Sequence, residues 1–338
     1  MKNLQPEDFE IETSTVWSYP KRGKWATHKS SYRGNWAPQV VRNIILRYSQ
    51  EGDFVLDPMV GGGTTLIECK LTNRNCLGVD INPDAVTISK KAIDFDINNN
   101  AKIVAKRGNV KNLELEDEVV DLITTHPPYA NIINYSDGEI KEDLSNCEIG
   151  EFYSEMRDVA KELYRVLKPG KFCAVLIGDT RKNKHYVPLS VNVLNIFLEL
   201  GFILKEDIIK HQWNTKTEGF WAERSKEYNF LLILHEHLYI FRKPEKSENL
   251  SRVKNSMTYD SSIFKERRKD NRKLIKFLNK TTKESLVKID GIGKKRAEKI
   301  IENRPFEKIS DFTKISGFSF NLLQEIKNYR KENLWKLS

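Results

Sequence analysis

Two short stretches of this 338-residue chain carry residue types and spacings suited to chemistry. The first is Val55-Leu56-Asp57-Pro58-Met59-Val60-Gly61-Gly62-Gly63-Thr64-Thr65, and the second is Asp121-Leu122-Ile123-Thr124-Thr125-His126-Pro127-Pro128-Tyr129. Each is an apolar run that stops abruptly in a special loop. In the first, three glycines remove side chains, so a ligand can approach the backbone closely. A turn from strand to helix also leaves free N–H groups at the helix start. Asp57 at the strand end repels a phosphate and attracts an ammonium group. No Gly-Lys-Ser/Thr follows, so this is not a P-loop. In the second stretch two prolines fix the backbone and leave nearby carbonyls free as acceptors. An exocyclic amine needs acceptors for its two N–H bonds. The Pro127 carbonyl supplies one and residue 126 the other, which points the nitrogen lone pair at the group to be transferred. Tyr129 offers a face on which a flipped base can stack. No cysteine sits in such a loop, which weighs against a covalent route to carbon 5 of a pyrimidine.

The elements that must position these loops alternate between strand and helix. Short apolar runs predict strands at Asp53–Leu56, Asn75–Ile81, Lys102–Lys106, Val119–Thr125 and Phe172–Ile177, with two final strands at Phe202–Lys210 and Asn229–Phe241. Helices are predicted at Thr64–Leu71, Pro83–Phe95, Glu151–Leu167 and Val191–Leu200. Such alternation implies an α/β, doubly wound sheet with ligands at the carboxyl ends of its strands. Asp80 closes the second strand, where an acid can bind ribose hydroxyls. Asn109, after the third strand, can hydrogen-bond an adenine edge.

Charge divides the chain unevenly. Residues 242–338 hold 26 Lys+Arg against 13 Asp+Glu, whereas residues 1–241 hold 30 against 34. The excess positive charge lies in the last 97 residues, which points to a polyanion partner there. No apolar run is long enough to span a membrane, and the start lacks the order of a signal peptide. The four scattered cysteines form no CxxC pair, so neither a metal site nor a disulfide framework is expected, and a reducing cytoplasm suits them. Residues 244–273 are polar and charged and read as a basic linker between residues 1–243 and residues 274–338. In the last segment Ile289-Asp290-Gly291-Ile292-Gly293 recurs loosely as Ile315-Ser316-Gly317-Phe318-Ser319, which suggests two stacked helical hairpins.

With its two main motifs, the chain resembles the amino-methyltransferases of DNA, most closely the N4-cytosine and N6-adenine DNA methylases of bacteria and archaea. The resemblance covers roughly Trp17–Lys243. It implies a Rossmann-like methyltransferase sheet and S-adenosyl-L-methionine as cofactor, held by Asp57, Pro58, Gly61, Gly63, Thr64, Thr65, Asp80, Ile81, Asn109 and Val110. The stretch Tyr32–Gln39, with Asn35 and Trp36, is similar to the family's N-terminal cofactor-contacting segment, and Ile177–Arg181 is also similar to the group. The loop His126, Pro127, Pro128 and Tyr129 takes the family's base-holding, catalytic place. The family carries Ser, Asp or Asn at the first position of that loop, and His126 departs from this. Thr125 before it matches the Thr-Ser-Pro-Pro-Tyr form, which favours N4 of cytosine. The alternatives are N6 of adenine, an RNA methylase acting on guanine N2 or adenine N6, and a catalytically silent DNA-binding protein. Segments Asn131–Gly150, Lys182–Tyr186 and Gln212–Tyr228 are the candidates for sequence recognition, with Trp213, Phe220 and Trp221 expected to pack the last of them.

Residues Ile289–Ala297 resemble a helix-hairpin-helix motif of non-sequence-specific DNA binders, with Gly291, Gly293, Lys294, Lys295 and Arg296 at the phosphates. This implies a small all-α C-terminal domain with double-stranded DNA as partner. A cognate restriction endonuclease is the further partner that such an enzyme leaves room for. The oligomeric state is not legible.

Overall fold

The computed structural model describes the chain except for residues 1–2, 133–134, 137, 141, 214–217, 258–272, 308–310, 313–314, 316–321, 324, 327–328 and 330–338. It divides into two compact units, Met1–Tyr259 and Asp260–Ser338.

The first unit is built on an eight-stranded sheet. In chain order the strands are β1 Val16–Trp17, β2 Phe54–Asp57, β3 Asn75–Asp80, β4 Ile103–Arg107, β5 Val120–Thr125, β6 Leu167–Gly178, β9 Ile203–His211 and β10 His235–Arg242. A separate two-stranded ribbon is formed by β7 Thr180–Lys182 and β8 His185–Val187. The order across the large sheet is β1-β9-β10-β6-β5-β2-β3-β4. All pairings are parallel except those of β10, which runs antiparallel to both β6 and β9. This is a Rossmann-like, largely parallel sheet.

Both faces are covered, as parallel sheets require. Helices α1 Pro38–Tyr48, α2 Thr64–Leu71 and α3 Pro83–Ala92 bury Val40, Ile44, Leu66 and Val86 against one face. Helices α4 Ile149–Val166 and α5 Leu189–Glu199 bury Phe152, Met156, Leu163, Val193 and Phe197 against the other. Pro38 and Pro83 occupy first turns, where a missing N–H costs nothing. The Asn82 side chain caps α3 by accepting from Asp84 N at 2.9 Å.

The chain lays down β2, β3 and β4 outward in one direction and then returns to place β5 on the other side of β2. Val55 and Leu56 pair with Leu122 and Ile123. The two loops, distant in sequence, therefore leave neighbouring strands at the point where the winding direction reverses, the place where such sheets bind ligands.

Several predicted bounds shift. The last strand begins at His235 rather than Asn229, because the chain around Asn229 closes a helix instead. Phe230 N donates to Ser225 O, and Asn229 adopts a left-handed φ of 51°. Helix α3 stops at Ala92, three residues short of Phe95. The candidate recognition segments contain ordered elements that periodicity does not suggest, the ribbon β7–β8 and a helix at Glu218–Glu227. Phe220, Trp221 and Trp213 do not pack a loop interior. They are 57%, 41% and 46% exposed, and Arg224 lies over the Phe220 ring at 4.3 Å.

The linker expected over residues 244–273 is, in its first part, attached to the first unit. Arg242 pairs with Glu248 at 2.5 Å, and Lys246 and Lys243 reach Glu118 at 2.8 and 3.3 Å. These ion pairs tie polar residues down where hydropathy alone reads a free arm. No helix among the described residues is long and apolar enough to cross a membrane.

In the second unit Leu274, Leu278, Leu286, Ile289, Ile292, Ala297 and Ile300 share an apolar core with Phe306, Phe312, Leu322, Leu323 and Ile326.

Candidate active site

The loop after β2 cannot accept ordinary residues. Gly61 and Gly63 have φ of 47° and 82°, and a Cβ on Gly63 would lie 3.1 Å from Ser89 Cα. Gly61 N donates to Asp80 Oδ2 at 2.9 Å, and Asn82 N to Asp80 Oδ1 at 3.0 Å. Burial pushes the Asp80 carboxyl up, and these backbone donors partly restore its acidity.

A cleft opens along this strand end. Asn35, Trp36, Pro58 and Gly61 line it on one side; Asp80, Ile81, Asn109 and Val110 line it on the other. The turn after β4 is closed by Asn109, whose Oδ1 accepts from Lys111 N at 2.9 Å.

The remaining predicted cofactor residues do not line the cleft. Asp57 is 2% exposed beneath the loop, where it accepts from Thr65 Oγ1 at 2.5 Å and from Met59 N at 3.2 Å. Burial pushes its carboxyl up to about 7, against those two hydrogen bonds. The Thr64 hydroxyl donates to Asn35 Oδ1 at 2.5 Å. Asp57, Gly63, Thr64 and Thr65 thus brace the loop and its N-terminal flap. The flap itself is anchored through a fully buried carboxylate on α2. Glu68 accepts from Trp25 Nε1 and Arg42 Nη1 at 2.7 and 2.9 Å, and lies 2.6 Å from His28 Nε2.

The cleft also holds Tyr32, from the expected cofactor-contacting segment, stacked at 6.2 Å on Tyr135, with Glu142, Asp143 and Leu144 from a segment expected to serve recognition instead. Tyr135 lies over Gly34, where a Cβ would come within 2.1 Å of its hydroxyl. Aromatics in irregular segments carry no periodic signal, so only the tertiary fold gathers them.

The second loop leaves β5 at Thr125. His126 Nε2 lies 2.6 Å from Tyr129 Oη, and the Tyr129 hydroxyl donates to Glu236 Oε1 at 2.6 Å. Lys210 Nζ donates to Glu236 Oε2 at 2.6 Å. His126 Nε2 and Glu236 Oε1 are 3.8 Å apart, too far for a hydrogen bond but close for a charge. Burial lowers the His126 pKa to about 4, despite the nearby Glu236 charge, so the ring is neutral at pH 7. Burial opposes ionisation of Glu236 too, but Lys210 and His126 overcome it and hold the carboxyl down at about 2. Burial and Glu236 together push the Tyr129 phenol well up. The tyrosine ring packs on Gly178, where a Cβ would sit 2.6 Å from Cε2.

A second cavity also reaches His126. Tyr19, Arg22, Lys210, Trp213 and Glu236 line it, and it shares Gly34, Asn35, Trp36 and His126 with the cleft. Glu236 and Lys210 lie outside every motif of the sequence. The available signal is an acid at 236 beside the otherwise apolar-aromatic run His237–Phe241 of a central strand, where an unpaired charge is costly.

On the opposite side of β10, Asp179, His235 and His237 bring ligand atoms within 4.8 Å of one another. Asp179 is already bonded to Ser190 and Tyr186, and His237 to Asp207.

In the second unit Gly291 has φ of 75° and Gly293 caps the helix Lys294–Glu302. Ile289 and Ile292 are buried beneath the turn, and Lys294 and Lys295 are exposed. Arg296 is also exposed, with one of its N–H groups, on Nη1, donating to Gly291 O at 2.6 Å. In the second copy, residues 316–319 lie outside the described residues.

These features meet a family. The chain matches the N6/N4 DNA methylase family over residues 2–91 and 120–333. The Type II methyltransferase M.MjaII of Methanocaldococcus jannaschii is 33% identical over 193 residues, which are 53% of this chain and 36% of that protein. M.HpaI of Haemophilus parainfluenzae is 28% identical over 152 residues, 44% of this chain and 47% of the relative. M.MjaI of Methanocaldococcus jannaschii is 29% identical over 203 residues, 52% of this chain and 66% of the relative. The chain thus spans between about a third and two thirds of the length of these relatives. A side-chain-free glycine loop and the acid Asp80 at neighbouring strand ends, both lining one cleft, suit the family's methyl donor, S-adenosyl-L-methionine. The chain belongs to the DNA methylases of the N6/N4 family.

Proposed function

We propose that the protein methylates the exocyclic amine of a base flipped from duplex DNA, N4 of cytosine in first place. One observation carries this reading: two cavities, one at the glycine loop and one at Glu236, meet at His126. A cofactor in the first and a base in the second would place donor and acceptor on either side of one loop, the pre-positioning that turns a two-body reaction into a one-body step.

Asp80 would take the ribose hydroxyls, Asn109 the adenine edge, and Asn35 and Trp36 the open side of the cleft. The bound cofactor supplies an electrophilic methyl group on a sulfonium. His126 and the Pro127 carbonyl accept the two amine N–H bonds, which turns the nitrogen lone pair toward that methyl. The amine nitrogen would form the new N–C bond as the methyl–sulfur bond breaks, the sulfonium leaving as the neutral thioether of S-adenosylhomocysteine, and the amine would shed one proton to solvent; no covalent bond to the enzyme is needed. Trp36, 5.8 Å from the His126 ring, walls the pocket, and Tyr129, held by Glu236, backs His126 without lining either cavity.

The exposed Phe220, Trp221, Arg224 and Lys226 suit contact with DNA beside the pocket. The helix that opens at Gly293, with Lys294 and Lys295, suits a phosphate seat that adds affinity without sequence choice. A restriction endonuclease with the same recognition sequence would be the natural companion, in the cytoplasm where the DNA lies.

The test is to incubate the protein with S-adenosyl-L-methionine and several unmethylated genomic DNAs, digest to nucleosides and measure masses. N4-methylcytosine is the expected product. N6-methyladenine would move the base while keeping the mechanism. No methylated deoxynucleoside, or methylation of tRNA alone, would overturn the proposal.

A further inference from the structure

Glu236 does not touch His126 through a hydrogen bond, yet the bonds it makes decide a property of that ring. Three heavy-atom contacts, each of 2.6 Å, run in series from Lys210 to Glu236, from Glu236 to Tyr129 and from Tyr129 to His126 Nε2. Each contact needs one proton between its two atoms, since two lone pairs at that distance repel. Lys210 is a donor only, so it fixes Glu236 as the acceptor. Its ammonium, 2.6 Å away, also keeps the carboxylate ionised. An ionised Glu236 has no proton to give, so the Tyr129 hydroxyl must donate to it. A phenol has a single proton. The Tyr129 oxygen must therefore accept at its other contact, and the proton there belongs to His126 Nε2.

The opposite arrangement fails at a named place. If Tyr129 donated to His126, the Tyr129 oxygen would face Glu236 Oε1 with no hydrogen between them. That would leave a buried carboxylate oxygen unpaired, since Glu236 is only 4% exposed.

A neutral imidazole has one N–H, so Nε2–H leaves Nδ1 as a bare lone pair. Which nitrogen carries the proton follows from the bond the other makes. We propose that Glu236, clamped by Lys210 and acting through Tyr129, is a positioning residue that sets the His126 tautomer and so makes Nδ1 the acceptor for the target amine. This rests on the methyltransferase reading only for the identity of the group accepted. It explains how histidine serves where the family carries Ser, Asp or Asn, all of which offer an oxygen acceptor. Histidine offers an acceptor only in the right tautomer, and the chain carries a buried acid, a tyrosine and a lysine that impose it.

The substitution Glu236→Gln separates this role from mere packing. Lys210 still donates, so it draws the glutamine oxygen, and the glutamine NH2 turns to Tyr129. The Tyr129 oxygen then accepts from Gln, its hydroxyl donates to His126 Nε2, and the ring proton moves to Nδ1. The shape is conserved while the tautomer flips.

The experiment is nitrogen-15 NMR of the full chain labelled at histidine, with the His126 signals assigned by their loss in His126→Ala. Nitrogen shifts and ring couplings report which nitrogen is protonated. Expected are Nε2–H in the native chain and Nδ1–H in Glu236→Gln. In the same variant kcat falls on the order of 10²-fold, the usual share of a positioned acid–base group, while S-adenosylhomocysteine affinity stays within about twofold. Tyr129→Phe, which breaks the series but leaves Glu236 and Lys210 paired, should give a mixed tautomer. Nδ1–H in the native chain, or an unchanged tautomer in Glu236→Gln, overturns the inference. The NMR readout needs no substrate. The expected tautomers together with no methylation of any DNA would therefore sink the methyltransferase proposal and leave this inference standing.

Discussion

The backbone N–H of Gly61 donates to Asp80 Oδ2 at 2.9 Å, joining the loop after β2 to the end of β3. The same carboxylate lines the cofactor cleft. Removing it takes away both the brace and the acceptor proposed for the ribose. Asp80→Ala should weaken S-adenosylhomocysteine binding by about 10- to 100-fold, the worth of one or two charged hydrogen bonds. Isothermal titration measures this, and unchanged affinity would place the ribose elsewhere.

Asp57 and His126 act oppositely on the pH dependence of stability. Burial raises Asp57 from 3.8 to about 7, so its contribution is fully present below 3.8 and is lost as pH rises through 7. Burial lowers His126 from 6.5 to about 4, so its contribution is present above 6.5 and is lost as pH falls through 4. Between about 4 and 6.5 the two slopes cancel. Asp57→Asn removes one of them and keeps the side-chain shape. Its stability relative to the native chain should rise by about 1.4 kcal/mol per pH unit between about pH 5 and 7, then level off. Urea unfolding at four pH values across that window and just above it gives this difference, in which the His126 contribution drops out. A flat difference would mean that Asp57 is ionised beneath the loop.

Gly178 is the floor under Tyr129. A Cβ there would lie 2.6 Å from the ring, closer than side-chain atoms approach one another. Gly178→Ala should tilt Tyr129 away from Glu236 and lower kcat at least about tenfold, since misplacing a positioned group by an ångström is costly. Cofactor affinity should not move. A variant with native kcat would show that Tyr129 need not hold its place.

Glu68 is the buried joint of the N-terminal flap that carries Asn35 and Trp36. Glu68→Ala leaves Arg42 and Trp25 without their carboxylate partner. Loss of one partner of a buried ion pair costs about 3–5 kcal/mol. A denaturant midpoint shifted by less than about 1 kcal/mol of stability would show that the flap is held by its apolar contacts instead.

The phosphate seat proposed at Gly293, Lys294 and Lys295 has a salt signature. Lys294→Ala with Lys295→Ala should weaken binding of any duplex about equally and reduce the salt slope by about 2, one for each lysine that neutralises a phosphate. The variants should leave cofactor affinity unchanged. An unaltered slope would assign the basic surface of the last unit to something other than DNA.

The sequence alone determined most strands and helices of the sheet and the two loops, because those are local; the ribbon β7–β8 and the helix Glu218–Glu227 were not legible. Glycine at 61 and 63 meets a backbone need that can be read without a fold, and both have positive φ. Short apolar runs, the glycine loop and one period-3.6 stripe placed β2, β3, β5, α2 and α4 to within one or two residues. Asp80 and Asn109, chosen for their places at strand ends, both line the cleft.

What only the tertiary structure decided is which groups meet. Asp57 reads as an ammonium partner from its place at a strand end, but Thr65 and Met59 enclose it beneath the loop. Arg296 reads as a phosphate ligand from its place in a basic run, and the fold adds a bond from its Nη1 to the Gly291 carbonyl that the run does not announce. The distant partners in the His126 series, Lys210 and Glu236, come from β9 and β10, far along the chain. They reach the loop because β10 inserts antiparallel between β6 and β9, which puts Glu236 opposite Gly178 on one side and Lys210 on the other. Pairing across a sheet is set by long-range packing and strand order, and no local pattern encodes it.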